Sequence, residues 1–483
     1  MTRSPSFVGL GLDILINVIT FLRAPDIICL RLTCKTLRAS TEHRIVWLNA
    51  LEQMMEEHHI PKATFPTDSM DRQGLEHIAL SPAQFSSIIE KSSDSELHPR
   101  SIRTLPDHIS KQELSKHGIV SVGGYRDMLL APGGRFLVTS RIAPDYKTLV
   151  QLWDLGVCGY GNQEKNLVQS LLEETFLRLH SLSPIPDGTG FYLLSQKQSV
   201  PIAILVHKIL AFGAFPSITG VNKRSIPSDI ISYSISATRL TCVCGPSTVM
   251  VWDFEAQLST SWDSHVEQDE DFPLSVHLYA DIVLLYCSGS LMLWKIPDLR
   301  PDIQEASLQH RRLATFTAFF EDGEGTHSED NTYLLIQSPW NCGRPGSEFL
   351  GIVNSPDFGL FRIQHLLPVQ DDNIPTILHS RMAICRDFTI AGRTILTLPR
   401  LQICNHRLMV SALDGDNERM YIQMLPVLVD GSQIEPTPMK ELVFRCRDMT
   451  PDSPQLCTAT GRLCIMVGED IEILDYLQSP QRF

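Results

Sequence analysis

The segment LVQLWDL, Leu149–Leu155, carries the pattern that decides the fold of most of this chain. Its β-branched, aromatic and leucine side chains favour an extended strand, and Asp154 marks the end of the apolar run. The preceding segment GGRFLVTS, Gly133–Ser140, predicts a tight turn that leads into another strand. Short apolar runs separated by Gly, Pro, Asp and Ser continue to the end of the chain and predict a β-rich region.

Similar strand endings recur further along the chain. Trp153 and Trp252 are 99 residues apart, and Trp294 follows Trp252 after 42 residues. The recurring segments are VMVWDF (Val249–Phe254), LMLWKI (Leu291–Ile296), AILVHK (Ala203–Lys208) and the weaker GLFRI (Gly359–Ile363), MYIQM (Met420–Met424) and IEILDYL (Ile471–Leu477). Together they predict seven equivalent third strands near residues 153, 206, 252, 294, 361, 422 and 473, about 53 residues apart.

This repeat resembles a degenerate WD-repeat β-propeller, whose blades recur at about 40–45 residues. The Trp-Asp dipeptide stands in a predicted strand at Trp153-Asp154 and at Trp252-Asp253. The resemblance implies that residues 119–483 form a seven-bladed β-propeller whose loops bind a target protein. An irregular β-sandwich or two separate β-domains are the alternative interpretations.

The N-terminal region has a different, helical periodicity. Leu12, Leu15, Ile19 and Leu22 share one helical face, and Ile14, Val18 and Phe21 form a second stripe beside it. Of the 42 residues from Leu10 to Leu51, 24 are apolar. A unit of this length cannot bury so much apolar surface alone. The helices therefore pack on another protein or on the rest of this chain.

The segment LGLDILINVITFLRAPDIICLRLTCKTLRASTEHRIVWLNAL, Leu10–Leu51, resembles the F-box in its leucine-rich first helix, Pro25-Asp26, Cys34-Lys35 and distal Trp47. It departs from the F-box pattern at Gly11 and Asn17. The resemblance implies docking on the adaptor subunit of an SCF-type cullin–RING ubiquitin ligase. The residues it implies for adaptor binding are Leu10, Leu12, Ile14, Leu15, Leu22, Pro25, Ile27, Leu30, Cys34 and Trp47.

Charge and cysteine content restrict the partners and the compartment. With 41 Lys and Arg against 55 Asp and Glu, the net charge is −14, which argues against a broad nucleic-acid interface or a polybasic membrane anchor. Twelve scattered cysteines do not form the dense framework of small secreted domains. No apolar run approaches the length of a membrane helix. We therefore predict a protein of the cytosol or nucleus.

No pattern in the sequence predicts catalysis, a cofactor or a metal. Cys242 and Cys244 are expected to be neighbours on one face of a strand, but no further ligands accompany them for a zinc site. The predicted fold class is an α+β multidomain chain. It has an F-box helical domain at residues 7–58, a helical or irregular linker at 59–118 and the propeller-like domain at 119–483. The predicted function is a non-catalytic substrate receptor; the alternative is a scaffold whose N-terminal helices pack only within the chain.

Overall fold

The α-helices of the described structure, a computed structural model, all precede residue 117. They are α1 (Leu12–Ile19), α2 (Ala24–Arg31), α3 (Lys35–Thr41), α4 (Arg44–Glu57), α5 (Arg72–Lys91) and α6 (Lys111–Lys116). The described residues are 10–58, 60–105, 109–159, 166–211, 216–245, 247–264, 273–279, 281–287, 290–301, 312–317, 332–336, 349–355, 360–366, 400–404, 407–414, 419–426, 440–443 and 454–478.

Local sequence explains where these helices begin. Pro25 stands in the first turn of α2, where the missing amide proton costs no helical hydrogen bond. The Asp71 carboxylate caps α5 by accepting a hydrogen bond of 2.8 Å from the amide of Gly74. Among the described helices, none combines the length and apolar character needed to cross a membrane.

The rest of the described chain is almost entirely strand. The first strands are β1 (Glu96–Leu97), β2 (Ser101–Leu105), β3 (Tyr125–Leu130), β4 (Phe136–Ala143), β5 (Lys147–Asp154), β6 (Asn166–Glu173), β7 (Leu177–Pro184), β8 (Phe191–Lys197), β9 (Ala203–Leu210), β10 (Ser217–Ser225), β11 (Ile230–Ser236), β12 (Arg239–Cys244), β13 (Thr248–Asp253) and β14 (Leu258–Asp263). The later strands are β15 (Pro273–Tyr279), β16 (Ile282–Cys287), β17 (Ser290–Lys295), β18 (Arg300–Pro301), β19 (Arg312–Thr317), β20 (Thr332–Ile336), β21 (Phe349–Ser355), β22 (Leu360–Leu366), β23 (Arg400–Cys404), β24 (Arg407–Asp414), β25 (Arg419–Pro426), β26 (Lys440–Leu442), β27 (Gln455–Cys457), β28 (Arg462–Val467) and β29 (Asp470–Asp475).

The described strands pair into seven small sheets, numbered here I to VII along the chain. Their strand orders are β3-β4-β5-β6 (sheet I), β10-β9-β8-β7 (II), β11-β12-β13-β14-β18 (III), β15-β16-β17-β19 (IV), β20-β21-β22 (V), β1-β26-β25-β24-β23 (VI) and β2-β29-β28-β27 (VII). Each of the seven segments predicted as third strands lies in a different sheet, in β5, β9, β13, β17, β22, β25 and β29. The predicted repeat of small sheets is therefore confirmed.

Sheets I to V pack on one another in chain order. Apolar clusters join sheet I to II, II to III, and III to IV, and β15 and β16 of sheet IV contact β20 of sheet V. Sheet VI shares a cluster with sheet VII, and sheet VII packs back on sheet I through Leu137, Trp153 and Ile473. This order is that of a propeller-like stack, in which neighbouring sheets cover one another's faces. The number of blades stays a prediction.

The segment 59–118, predicted as a linker, contributes to both parts of the molecule. Its helix α5 places Leu75 and Ile78 among the N-terminal helices, whereas Phe85 and Ile89 pack against sheets VI and VII. Strands β1 and β2 belong to sheets VI and VII, where β2 pairs antiparallel with β29. A strand from before the propeller-like region thus completes the sheet made by the end of the chain.

Candidate functional site

The ten residues predicted to contact an adaptor occupy three different environments. Leu15, Ile27 and Trp47 are buried within this chain, each with at most 2% of its surface exposed. Leu12 and Ile14 are 46% and 47% exposed. The remaining five residues are half-buried: Leu10, Leu22, Pro25, Leu30 and Cys34.

Trp47 belongs to the chain's own core. Its indole N–H donates a 2.8 Å hydrogen bond to the backbone oxygen of Thr41, and the Arg31 guanidinium lies 5.1 Å from its ring centre. The ring is fully buried in a cluster that includes Leu75 and Ile78 of α5. In the isolated chain, Trp47 therefore stabilises the helical part and offers no free surface to another protein.

A second face of the α1 region is open to solvent. Leu15 and Ile19 point into the core, whereas the second stripe beside them faces solvent. Ile14 and Val18 of α1 and Phe21 of the turn that follows α1, together called here the outer stripe, are 47%, 37% and 79% exposed. Three large apolar side chains in a row are the kind of surface that marks a protein interaction site.

Two members of the outer stripe are missing from the ten predicted contact residues. Val18 and Phe21 recur with Ile14 at helical spacing, so the sequence shows the stripe. The sequence does not show which of the two stripes turns towards the core. Leu32, at the end of α2, is 80% exposed and was also absent from the prediction.

Ion pairs fix α2 to α5. Arg31 forms a two-pronged contact with the Glu76 carboxylate, with N–O distances of 2.7 and 3.0 Å. Arg72 donates a further bond of 2.9 Å to the same carboxylate. Because the planar Arg31 guanidinium forms two hydrogen bonds with the planar Glu76 carboxylate, this contact is more directional than an ion pair between a lysine and a carboxylate.

The helical part is also joined directly to the propeller-like region. Its apolar cluster includes Val157 from beyond β5 and Ala459 from beyond β27. Arg135 binds the Asp154 carboxylate through its Nε and Nη2 atoms. Its Nη1 atom donates a hydrogen bond of 2.8 Å to the backbone oxygen of Thr64. The N-terminal helices are therefore packed on the sheets that follow, and the segment between α4 and α5 is hydrogen-bonded to sheet I through Thr64.

A buried charge network lies where β2 meets the end of the chain. The Asp475 carboxylate accepts hydrogen bonds from Arg462 at 2.6 and 3.2 Å and from Arg103 of β2 at 3.1 Å. Burial by itself raises the pKa of Asp475, but the two guanidiniums outweigh it and hold the pKa below its ordinary value. The network ties β2 to sheet VII.

A family comparison identifies the N-terminal helices. Residues 7–49 match the family model described as "F-box domain". This chain contains an F-box domain. F-box domains generally act as adaptor modules and bind the adaptor subunits of SCF complexes. The outer stripe is thus part of the exposed apolar surface of the F-box, which also includes Leu12 and Leu32.

Comparisons of the whole chain give matches at low sequence identity. No curated protein matches by sequence. Similar solved structures include the WD40 domain of SCAP from fission yeast, with 10% identity, a TM-score of 0.38 and coverage of 78% of this chain and 98% of that one. A chain of the mitotic checkpoint complex shares 10% identity, with a TM-score of 0.41 and coverage of 80% of this chain and 98% of that one. The computationally designed Ika8 protein shares 12% identity, with a TM-score of 0.35 and coverage of 73% of this chain and 96% of that one. Because these TM-scores lie below 0.5, the propeller-like description rests on the strand pairing of this chain.

One side-chain arrangement in sheets I and II has the connectivity of a catalytic triad. Ser195 Oγ lies 3.5 Å from His207 Nδ1, and His207 Nε2 lies 2.8 Å from Glu173 Oε1. Ser195 is fully buried between β8 and β9, so no substrate carbonyl can reach its hydroxyl. The arrangement instead connects β9 of sheet II to β6 of sheet I.

The paired cysteines of β12 are core residues. Cys242 Sγ and Cys244 Sγ are 3.5 Å apart, which confirms that they are neighbours on one face. Both are buried in the cluster between sheets II and III. Within the described residues, no group of three or more His, Cys, Asp or Glu is arranged to hold a metal ion.

Proposed function

We propose that this chain is a non-catalytic substrate receptor of an SCF-type cullin–RING ubiquitin ligase. Residues 7–58 dock on the adaptor subunit and through it on the cullin. Residues 59–118 connect this module to residues 119–483, which bind the target protein. The receptor works by proximity, because it raises the concentration of target lysines near the ubiquitin carrier.

The observation that carries this proposal is the two-sided packing of α1. One side, with Leu15 and Ile19, is part of the chain's own core, whereas the outer stripe stays uncovered on an F-box domain. An adaptor that covers Ile14, Val18 and Phe21 removes this apolar surface from water without disturbing the core. The exposed Leu12 and Leu32 and the half-buried Leu10, Leu22, Pro25, Leu30 and Cys34 extend the proposed contact surface.

A second observation concerns the distance between the two partners. Helix α5 runs for 20 residues from the F-box to sheets VI and VII and packs against both. A target bound to the sheets is then held at a fixed distance from the adaptor, since rotation about the connection would break both clusters.

The alternative is a scaffold whose N-terminal helices serve only the chain itself. It is supported by the burial of Ile27 and Trp47 in a cluster with α5. The two proposals differ over the outer stripe, which has no function in the scaffold.

Adaptor binding in purified form separates the two proposals. The chain is mixed with the SCF adaptor subunit and passed over a size-exclusion column, in parallel with the double variant Ile14→Asp, Phe21→Asp. Both side chains are exposed, so we expect the variant to fold and to lose the complex. Val120→Asp is the matched control, because Val120 is 89% exposed but lies outside the F-box.

A further inference from the structure

A cleft of about 630 Å³ lies at the junction of the F-box, helix α5 and the segment that follows β29. Its volume falls within the range of sites that bind ligands or peptide segments. None of the residues of the outer stripe lines it. The cleft is therefore a surface separate from the one proposed for the adaptor.

Positive charge collects in this cleft. It is lined by Arg31, Arg72 and Arg100, with Glu76 as the one carboxylate among the described lining residues. Arg31 and Arg72 share Glu76, so one carboxylate balances only one of two guanidiniums. Arg100 is exposed, and its side chain has no hydrogen bond or ion pair with a described residue. A local surplus of two positive charges stands out in a chain with a net charge of −14.

Arg31 of the F-box and Arg72 of α5 are held in place before any ligand arrives, because both bind the Glu76 carboxylate. Arg31 is fixed by Glu76, by a 3.1 Å bond from its Nε to the Thr41 hydroxyl and by stacking over Trp47. A guanidinium that is already ordered loses little side-chain entropy when it binds an anion.

The remainder of the cleft is apolar or hydrogen-bonding. Leu80 and Ile88 of α5 and Leu477 beyond β29 contribute apolar surface. The amides of Gln73 and Gln84 can pair with a peptide backbone. A single oxyanion would leave the apolar part unfilled, whereas a peptide can place an apolar side chain there and its carboxylates on the arginines.

We propose that this cleft binds an acidic peptide segment of a partner protein, with an apolar residue next to its carboxylates. The carboxylates bind Arg72 and Arg100, and the apolar side chain packs against Leu80 and Ile88. The segment would contact the F-box, α5 and the last sheet together. This inference goes beyond the proposed function and does not depend on adaptor binding.

The test measures fluorescence anisotropy of a fluorescein-labelled hexapeptide of alternating Glu and Leu titrated with the full chain. A peptide in which Gln replaces every Glu tests the need for charge. Arg100→Glu reverses an exposed charge in the cleft, and Leu80→Gln removes apolar surface. Lys223→Glu is the control, since it makes the same charge change at an exposed position on β10, which does not line the cleft.

We expect saturable binding of the Glu-Leu peptide, and binding about tenfold weaker in Arg100→Glu, which corresponds to about 1.4 kcal/mol. Leu80→Gln and the Gln-Leu peptide should weaken binding as well, whereas Lys223→Glu should leave it unchanged. No binding, or equal losses in Arg100→Glu and Lys223→Glu, would overturn the proposal. Adaptor co-elution and the thermal melt of each variant are recorded alongside, so a folding defect or a failure of the receptor proposal is recognised separately.

Discussion

Replacing Asp475 with asparagine should destabilise the chain strongly, because it removes the single carboxylate that serves two guanidiniums. Arg462 is completely buried, and the Arg103 side chain is only 14% exposed. The asparagine amide would keep the shape of the side chain but remove the negative charge that faces both guanidiniums. Breaking a buried ion pair from one side costs about 3–5 kcal/mol, which is a large part of the ~5–15 kcal/mol that stabilises a typical protein.

The assay is urea unfolding followed by tryptophan fluorescence, with hydrogen exchange of the β2 amides measured in parallel. Because Arg103 lies on β2, we expect Ser101–Leu105 to exchange faster in the variant even where the rest of the chain remains folded. Asp298→Asn is the control, since Asp298 is exposed. If Asp475→Asn and Asp298→Asn both stay within about 1 kcal/mol of the parent chain, the buried network does not stabilise the last sheet.

Two further predictions concern pH and the F-box core. Since the folded-state pKa of Asp475 lies below its ordinary 3.8, its stabilising contribution is complete above that pH and is lost as the pH falls through the folded value. The difference in urea midpoint between the parent chain and Asp475→Asn should therefore be constant from about pH 5 to 8 and shrink below about pH 4; an undiminished difference at about pH 3 would contradict this. Trp47→Phe removes the hydrogen bond to the Thr41 backbone oxygen and should lower the free energy of unfolding by about 1–3 kcal/mol, with adaptor affinity unchanged below the melting transition. Weaker adaptor binding without a loss of stability would mean that Trp47 contacts the adaptor instead.

Much of the fold could be predicted because its signals are local. Each predicted third strand carries its own run of apolar residues, so all seven were found without knowledge of their partners. The turn before β4 was also predictable, because Gly133 and Gly134 adopt φ values of +84° and +66°, which few other residues tolerate.

The role of β2 could not be predicted, because its partner β29 lies some 370 residues away and no local pattern connects them. The sequence around residues 101–105 is mixed and polar, which predicts a linker.

The candidate site was only partly predictable, for a similar reason. Helical spacing identifies two apolar stripes in the first helical segment, but their orientation depends on the contact of α1 with α3 and on the apolar cluster that Ile19 shares with residues of α5. Leu15, Ile27 and Trp47 therefore lie in the core, whereas Phe21, which was not chosen, is among the most exposed apolar residues. The arginine-lined cleft joins residues 31, 72, 100 and 477, which no sequence window contains together.

Co-elution of the full chain with the SCF adaptor subunit is the most direct measurement of the central claim. The account predicts a stable complex that survives Val120→Asp and is lost in Ile14→Asp, Phe21→Asp while that variant keeps its melting temperature. A folded parent chain that elutes apart from the adaptor would contradict it, as would a complex that the double variant retains.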